Sequence, residues 1–115
     1  MREGLYSVHI ELGDGHVGKG SGVLVFRDGS ILGGDAFLFY VGRYEVRGGD
    51  ILGEVVINQH TPSPGAFPLF GGREVGIGFT GTLTETGGTL EGMALVGRMS
   101  HPFRGTLKRL ADVGP

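Results

Sequence analysis

Histidine has the widest chemical reach of any side chain in this sequence, and there are four: His9, His16, His60 and His101. A zinc site is built from histidine, cysteine or carboxylate ligands at short spacings that put two of them on one loop or helical turn. No two of these histidines stand so close, and no cysteine is available to complete a set. The pattern predicts no metal centre, no thiolate nucleophile and no disulfide. The run Gly13-Asp14-Gly15-His16-Val17-Gly18-Lys19 matches both the dinucleotide fingerprint G-x-G-x-x-G and the start of a phosphate loop. Such loops open a helix whose N-terminus faces the phosphate, and a serine or threonine follows the lysine. Here Gly20 follows Lys19, and Ser21 to Arg27 is patterned as a strand, so the glycines are expected to reverse a hairpin. None of Ser7, Ser21, Ser30, Ser63 and Ser100 sits in a nucleophile elbow. Ser100 and His101 are adjacent and would point to opposite sides of an extended chain. Glu54, Glu74, Glu85 and Glu91 fall on polar faces. With no converging acid, base or nucleophile, the reading is of a protein that is not an enzyme and uses no cofactor.

The elements that carry these residues are strands. From Leu5 to Leu12, Tyr6, Val8, Ile10 and Leu12 face one way and Leu5, Ser7, His9 and Glu11 the other, the period of a half-buried strand. A second strand, Ser21 to Arg27, is apolar on both faces, with Val23 and Val25 on one and Leu24 and Phe26 on the other. Arg27-Asp28-Gly29-Ser30 is a hairpin signal suited to a two-residue primed turn. It leads into a third strand, Ser30 to Gly34. The fourth, about Phe39 to Arg47, puts Tyr40, Gly42, Tyr44 and Val46 on one face and reverses at Gly48-Gly49. The fifth runs from Asp50 to about Gln59 with Ile51, Val55 and Ile57 together. His60 to Gly72, with three of the five prolines and no period, reads as the one long loop. In the sixth strand Val75, Ile77, Phe79, Gly81 and Leu83 oppose a face left nearly bare by Gly76 and Gly78. The seventh is expected over Thr89 to Arg98, and the eighth over Phe103 to Leu110 after a break at His101-Pro102.

Glycine is the compositional outlier, 25 of 115 residues, about three times the usual ~7%. Few prolines and no repeat accompany it, so neither disorder nor collagen fits. Glycines inside strands suit a small barrel, whose sheet must bend and coil to close. The fold class is therefore all-β in a single domain, 1–115: an eight-stranded up-and-down barrel, closed or partly open, which removes the edges that a flat meander would expose. A two-sheet sandwich is the rival. Tyr6, Val8, Ile10, Val75, Ile77, Phe79 and Leu83 are expected inside.

The most informative stretch is Ser30 to Tyr44. Gly33-Gly34 offers two positions free to take positive φ, and Asp35 can bond a nearby backbone N–H, so a tight turn, with a short helical turn over Asp35 to Leu38 also open, precedes the fourth strand. Together with Gly4-Leu5-Tyr6-Ser7-Val8, Asp28-Gly29-Ser30 and His60-Thr61-Pro62, this stretch resembles the GrlR-like family of small bacterial proteins. The matching positions Gly33, Gly34, Asp35, Tyr40, Gly42 and His60 are mostly structural. The resemblance implies a lipocalin-like (calycin-type) barrel that dimerises and acts by binding another protein. It also implies a negative regulator of type III secretion that sequesters a transcriptional activator. An acidic run after the fourth strand has been linked to that contact in the family, and here the place reads Glu45-Val46-Arg47-Gly48-Gly49-Asp50. The acidic run is absent.

A formal charge of −2 gives no footprint for nucleic acid or for an anionic membrane. No apolar run approaches the ~18 residues of a membrane helix. Met1-Arg2-Glu3-Gly4 leads straight into a strand without a secretory apolar region, so a cytoplasmic location is expected. The apolar excess predicts a contact surface that includes Val23, Leu24, Val25, Phe26, Phe67 and Phe70, and a homodimer built on the second strand. The alternative is a carrier or sensor of a small apolar ligand held in the barrel.

Overall fold

The computed structural model describes residues 3–12, 19–62 and 74–113. They form eight strands: β1 (Gly4–Leu12), β2 (Lys19–Arg27), β3 (Ser30–Gly34), β4 (Leu38–Arg47), β5 (Asp50–Gln59), β6 (Val75–Leu83), β7 (Gly87–Val96) and β8 (Met99–Ala111). Each strand pairs antiparallel with the next, and β8 pairs with β1, so the sheet is a closed up-and-down barrel. The expected fold class is the one observed, with no open side. The glycine run 13–18 and the stretch 63–73, which carries Phe67 and Phe70, lie outside the described residues.

Inside the barrel, large side chains are set against glycines in register. Tyr44 pairs with Gly53, Gly53 with Phe79, Phe79 with Gly92 and Gly92 with Phe103. One row along, Ile51, Gly81, Leu90, Gly105 and Ile10 follow in the same way. A small barrel has room for bulk only at alternate strands, and the alternation of large and small fills it without overpacking. The fit is tight. A methyl group at Gly42 would lie 2.1 Å from the Glu54 carbonyl oxygen and 2.8 Å from the Val55 Cα, and one at Gly92 would lie 2.0 Å from the Gly78 carbonyl oxygen.

Tyr6, Val8, Val75, Ile77, Phe79 and Leu83 are buried as expected, and Ile10 is half-buried against them. At the end of the barrel that carries the β2–β3 turn, Tyr6, Phe26 and Tyr44 stack edge to face, with centroids 5.3 and 5.2 Å apart. This aromatic plug closes that end. Val46, on the same face as Tyr44, lies beyond the plug and is exposed.

Turn chemistry explains most of the connections. Asp28 and Gly29 have φ of 50° and 79°, the pair of positive values that a primed two-residue hairpin needs. Three expectations are corrected. Gly33 and Gly34 have no positive φ. They are small because a methyl group at Gly33 would lie 2.1 Å from the Val23 carbonyl oxygen, and one at Gly34 2.6 Å from that of Leu38. Residues 35–37 form a bend without a helical turn, and β4 begins at Leu38. The last hairpin turns at Gly97-Arg98, where Gly97 has φ of 61°, so β7 ends at Val96 and β8 already begins at Met99. Pro102 lies inside β8. Among the described residues it pairs with Met93 of β7 alone, and a proline is tolerated in a strand where no ladder bond is asked of its nitrogen.

Candidate functional site

Of the positions singled out by the family resemblance, Gly33, Gly34, Asp35, Tyr40 and His60 gather at the end of the barrel where β3 passes into β4, whereas Gly42 lies further along β4, paired with Ile31 and Val55. One Asp35 carboxylate oxygen accepts from the Phe37 and Leu38 amides, both at 2.8 Å, and the other accepts from the Tyr40 hydroxyl at 2.8 Å. The Asp35 amide donates to the Leu38 carbonyl at 3.0 Å. His60, just past β5, closes the clasp. Its Nε2–H donates to the Asp35 carbonyl at 3.0 Å, its Nδ1 meets the Thr61 hydroxyl at 2.6 Å, and its amide donates to the Phe37 carbonyl at 2.8 Å. A carbonyl only accepts, which fixes the proton on Nε2. Burial, the Asp35 hydrogen bond and the Asp35 charge together push the Tyr40 hydroxyl well above the ordinary tyrosine range. Every polar group of this cluster is engaged in holding the β3–β4 bend against β5. It is a structural fastening in which Asp35 bonds nearby backbone N–H groups, as its place after Gly33-Gly34 suggests.

A second tie stands at the opposite end. Glu3 accepts from the Asp28 amide at 2.5 Å and from the Tyr44 hydroxyl at 3.4 Å. Burial is the main cause that raises the Tyr44 pKa, opposed by the Gly29 backbone and helped by Glu3 and Asp28. Arg109 donates to the Glu3 carbonyl and pairs with Asp112.

Catalytic constellations fare differently. The fold brings one serine beside a histidine, with Ser21 Oγ 2.9 Å from His9 Nδ1 across the β1–β2 pairing. The pair lies on the exposed outer wall, and among the described residues no carboxylate is bonded to the His9 ring to orient it. Among the described residues, no three histidine or carboxylate side chains come together as a metal site. The interior space lined by Val8, Leu24, Ile31, Tyr40, Phe79 and Leu90 amounts to about 40 Å³. That is room for a water molecule, whereas ligand sites begin at ~300 Å³.

The outer wall carries the unusual feature. Leu5 pairs with Val25, Val25 with Leu32, Leu32 with Val41, Val41 with Val56, Val56 with Gly76 and Gly76 with Leu95. An apolar row thus crosses seven strands at one level, with Leu32, Val41, Val56 and Leu95 left 56%, 47%, 42% and 57% exposed. Val23 and Phe39, each about two-fifths exposed, flank it. Of the expected contact residues, Val23 and Val25 belong to this surface. Leu24 and Phe26 do not, because they face inward and are buried in the core. The rest of the row was not anticipated. Its signal is an apolar residue at the outward position of strands whose inward positions are already apolar, and only register reveals that these residues align.

Past the row, the wall sinks. A methyl group at Gly76 or Gly78 would have no atom within 4 Å. Two adjoining depressions, of about 510 and 720 Å³, share Arg43, Glu54 and Gly78. They form a trough along β6 between the outward side chains of β5 and β7.

These features define a closed eight-stranded up-and-down barrel whose described residues pack a continuous apolar core, fastened at both ends, with its distinctive surface on the outside. The sequence matches no family model, and no curated protein matches it.

Proposed function

We propose that this protein is a non-enzymatic, protein-binding barrel that works as a regulator by sequestering another protein, and that it forms a homodimer. The observation that carries this reading is the row Leu5, Val25, Leu32, Val41 and Val56. Leu32, Val41 and Val56 are exposed and Leu5 and Val25 half-buried beside them; aligned on neighbouring strands they make a contiguous patch, and soluble proteins of this size rarely leave one of several hundred Å² uncovered without a contact to make. The residues on β1 to β4, with Val23 and Phe39, suit an isologous two-fold contact. Among the described residues, by contrast, the space lined by the inward side chains is about 40 Å³. The resemblance to the GrlR-like family supports the same assignment and suggests a transcriptional activator as the sequestered protein.

Light scattering at micromolar concentration tests the dimer, with Val25→Glu and Leu32→Glu as variants. The expected result is a dimeric mass for the parent and a monomeric mass for both variants, with unchanged circular dichroism. A monomeric parent, or a dimer indifferent to both charges, overturns the interface. A pull-down from the native cytoplasm with the parent and the same variants tests the partner, and the absence of any protein captured through this surface would overturn the regulatory reading.

A further inference from the structure

The trough along β6 is the place where the barrel wall was left thin, and its chemistry specifies an occupant. Its floor is backbone, because Gly76 and Gly78 present no side chain to the outside. On one side stand Val56 and Glu54 of β5, and on the other Leu95 and Met93 of β7. Glycine at an outward strand position forgoes packing and strand propensity, and it permits another backbone element to approach closely. Along the trough β6 is paired with β5 on one side and β7 on the other, so a partner cannot add itself there as a strand. It must lie across the outside and make contact through side chains. Strands β5 and β7 are two inter-strand spacings apart, about 10 Å between backbones, so a helix ~10 Å across rests on their outward side chains with one ridge of its own over the glycine floor. From Gly76 to Thr80 the floor runs roughly 13 Å, or between two and three helical turns.

Charge settles the rest. The larger depression is lined by Glu45, Glu54 and Glu91 against the single cation Arg43. Arg43 bonds Glu54 at 2.8 Å and Arg47 bonds Glu45 at 3.2 Å, but all four side chains are mostly exposed, and such pairs are weak and easily shared. Glu91 faces Arg104 across the β7–β8 pairing, and no ion pair joins the two. The lining is therefore apolar at the walls and acidic at the rim. We infer that the trough over Gly76 and Gly78 seats a short amphipathic helix of a partner protein, with apolar side chains against Val56, Met93 and Leu95 and lysine or arginine side chains at Glu54 and Glu91. This inference rests on the protein-binding reading and names the segment that the partner contributes.

The probe is a short, fluorescein-labelled designed helix of leucine and lysine, and a leucine–glutamate helix of equal length serves as its control. Fluorescence anisotropy is measured on the full chain, on Gly76→Leu/Gly78→Leu, which fills the trough, and on Glu54→Gln/Glu91→Gln. The open space around both glycines lets the filled variant keep the barrel, which circular dichroism checks. The leucine–lysine helix is expected to bind the parent saturably, to bind the filled variant at least tenfold more weakly, and to lose several-fold affinity and much of its salt dependence with the glutamine variant. The acidic helix is expected to bind at least tenfold more weakly than the basic one. Absence of saturable binding, equal affinity for the filled variant, or equal affinity of the two helices would overturn the inference. A parent dimer that becomes monomeric on filling would assign the trough to a second copy, and vesicle binding lost on filling would assign it to lipid. Either outcome also overturns the inference. If a native partner is lost by Leu32→Glu but retained by the filled variant, the protein-binding reading stands without the trough.

Discussion

A methyl group added at Gly42 and one added at Gly78 meet opposite surroundings. At Gly42 it is driven into the backbone of β5, 2.1 Å from an oxygen, and at Gly78 it enters open space. Gly42→Ala is expected to destabilise the barrel by about 1–3 kcal/mol, the usual cost of overpacking. Gly78→Val is expected to stabilise it by about 0.5–1 kcal/mol, since an extended position gains a β-branched side chain and the unfolded chain loses freedom. Urea midpoints for the two variants check both signs at once. The tyrosines at the two barrel ends make a second residue-scale prediction. Both Tyr40 and Tyr44 hold the phenolic proton more tightly in the folded barrel than in the unfolded chain. Their contribution is therefore complete below the ordinary tyrosine pKa of about 10 and is lost as pH rises through the higher folded values. Unfolding free energy should fall in alkali above about pH 10, and Tyr40→Phe should make that fall shallower. An equal slope in parent and variant would show that Tyr40 ionises as freely in the barrel as outside it.

Elements are held by their ends as much as by their ladders. The bend between β3 and β4 depends on the Asp35 carboxylate, which accepts three hydrogen bonds at 2.8 Å. Asp35→Ala would leave a partly buried hydroxyl and two amides without their acceptor, and should cost about 1–3 kcal/mol in thermal or urea unfolding. His60→Ala, at an exposed position, should cost less. At this scale much was legible beforehand. The Asp28-Gly29 primed turn placed the start of β3 at Ser30, and a period-two run placed β5 from Asp50 to about Gln59, as observed. The misreadings share a cause. Gly33 and Gly34 look the same in sequence whether a turn or a neighbouring backbone demands them, and here the neighbour does. Pro102 looks like a break, yet it lies inside β8, paired with Met93 of β7, while the true turn at Gly97 is marked by a single glycine among many. The outer row was illegible for a further reason. Alternation shows that Leu32, Val41 and Val56 face outward, but only pairing register shows that they meet.

On the scale of the whole molecule, bulk and glycine alternate around a barrel whose last strand completes the first. Seven of its eight pairings join strands consecutive in the chain, whereas the eighth brings together residues as far apart as Leu5 and Ala111. This seam has a kinetic meaning. Local hairpins can form early at small entropic cost, but the β1–β8 ladder has to wait until the intervening strands have curled far enough to present both partners. A side chain on the seam should then be poorly structured in the folding transition state, and one in the middle of the chain better structured. Leu107→Ala, opposite Val8 across the seam, is expected to act mainly on the unfolding limb of a denaturant chevron. Ile77→Ala, between Val55 and Ala94, is expected to slow folding as well. The reverse assignment would mean that the ends of the chain meet first. If the seam does close last, it is also the first to part, and the barrel opens along one line as a sheet, exposing two unpaired strands that another unfolding copy can capture.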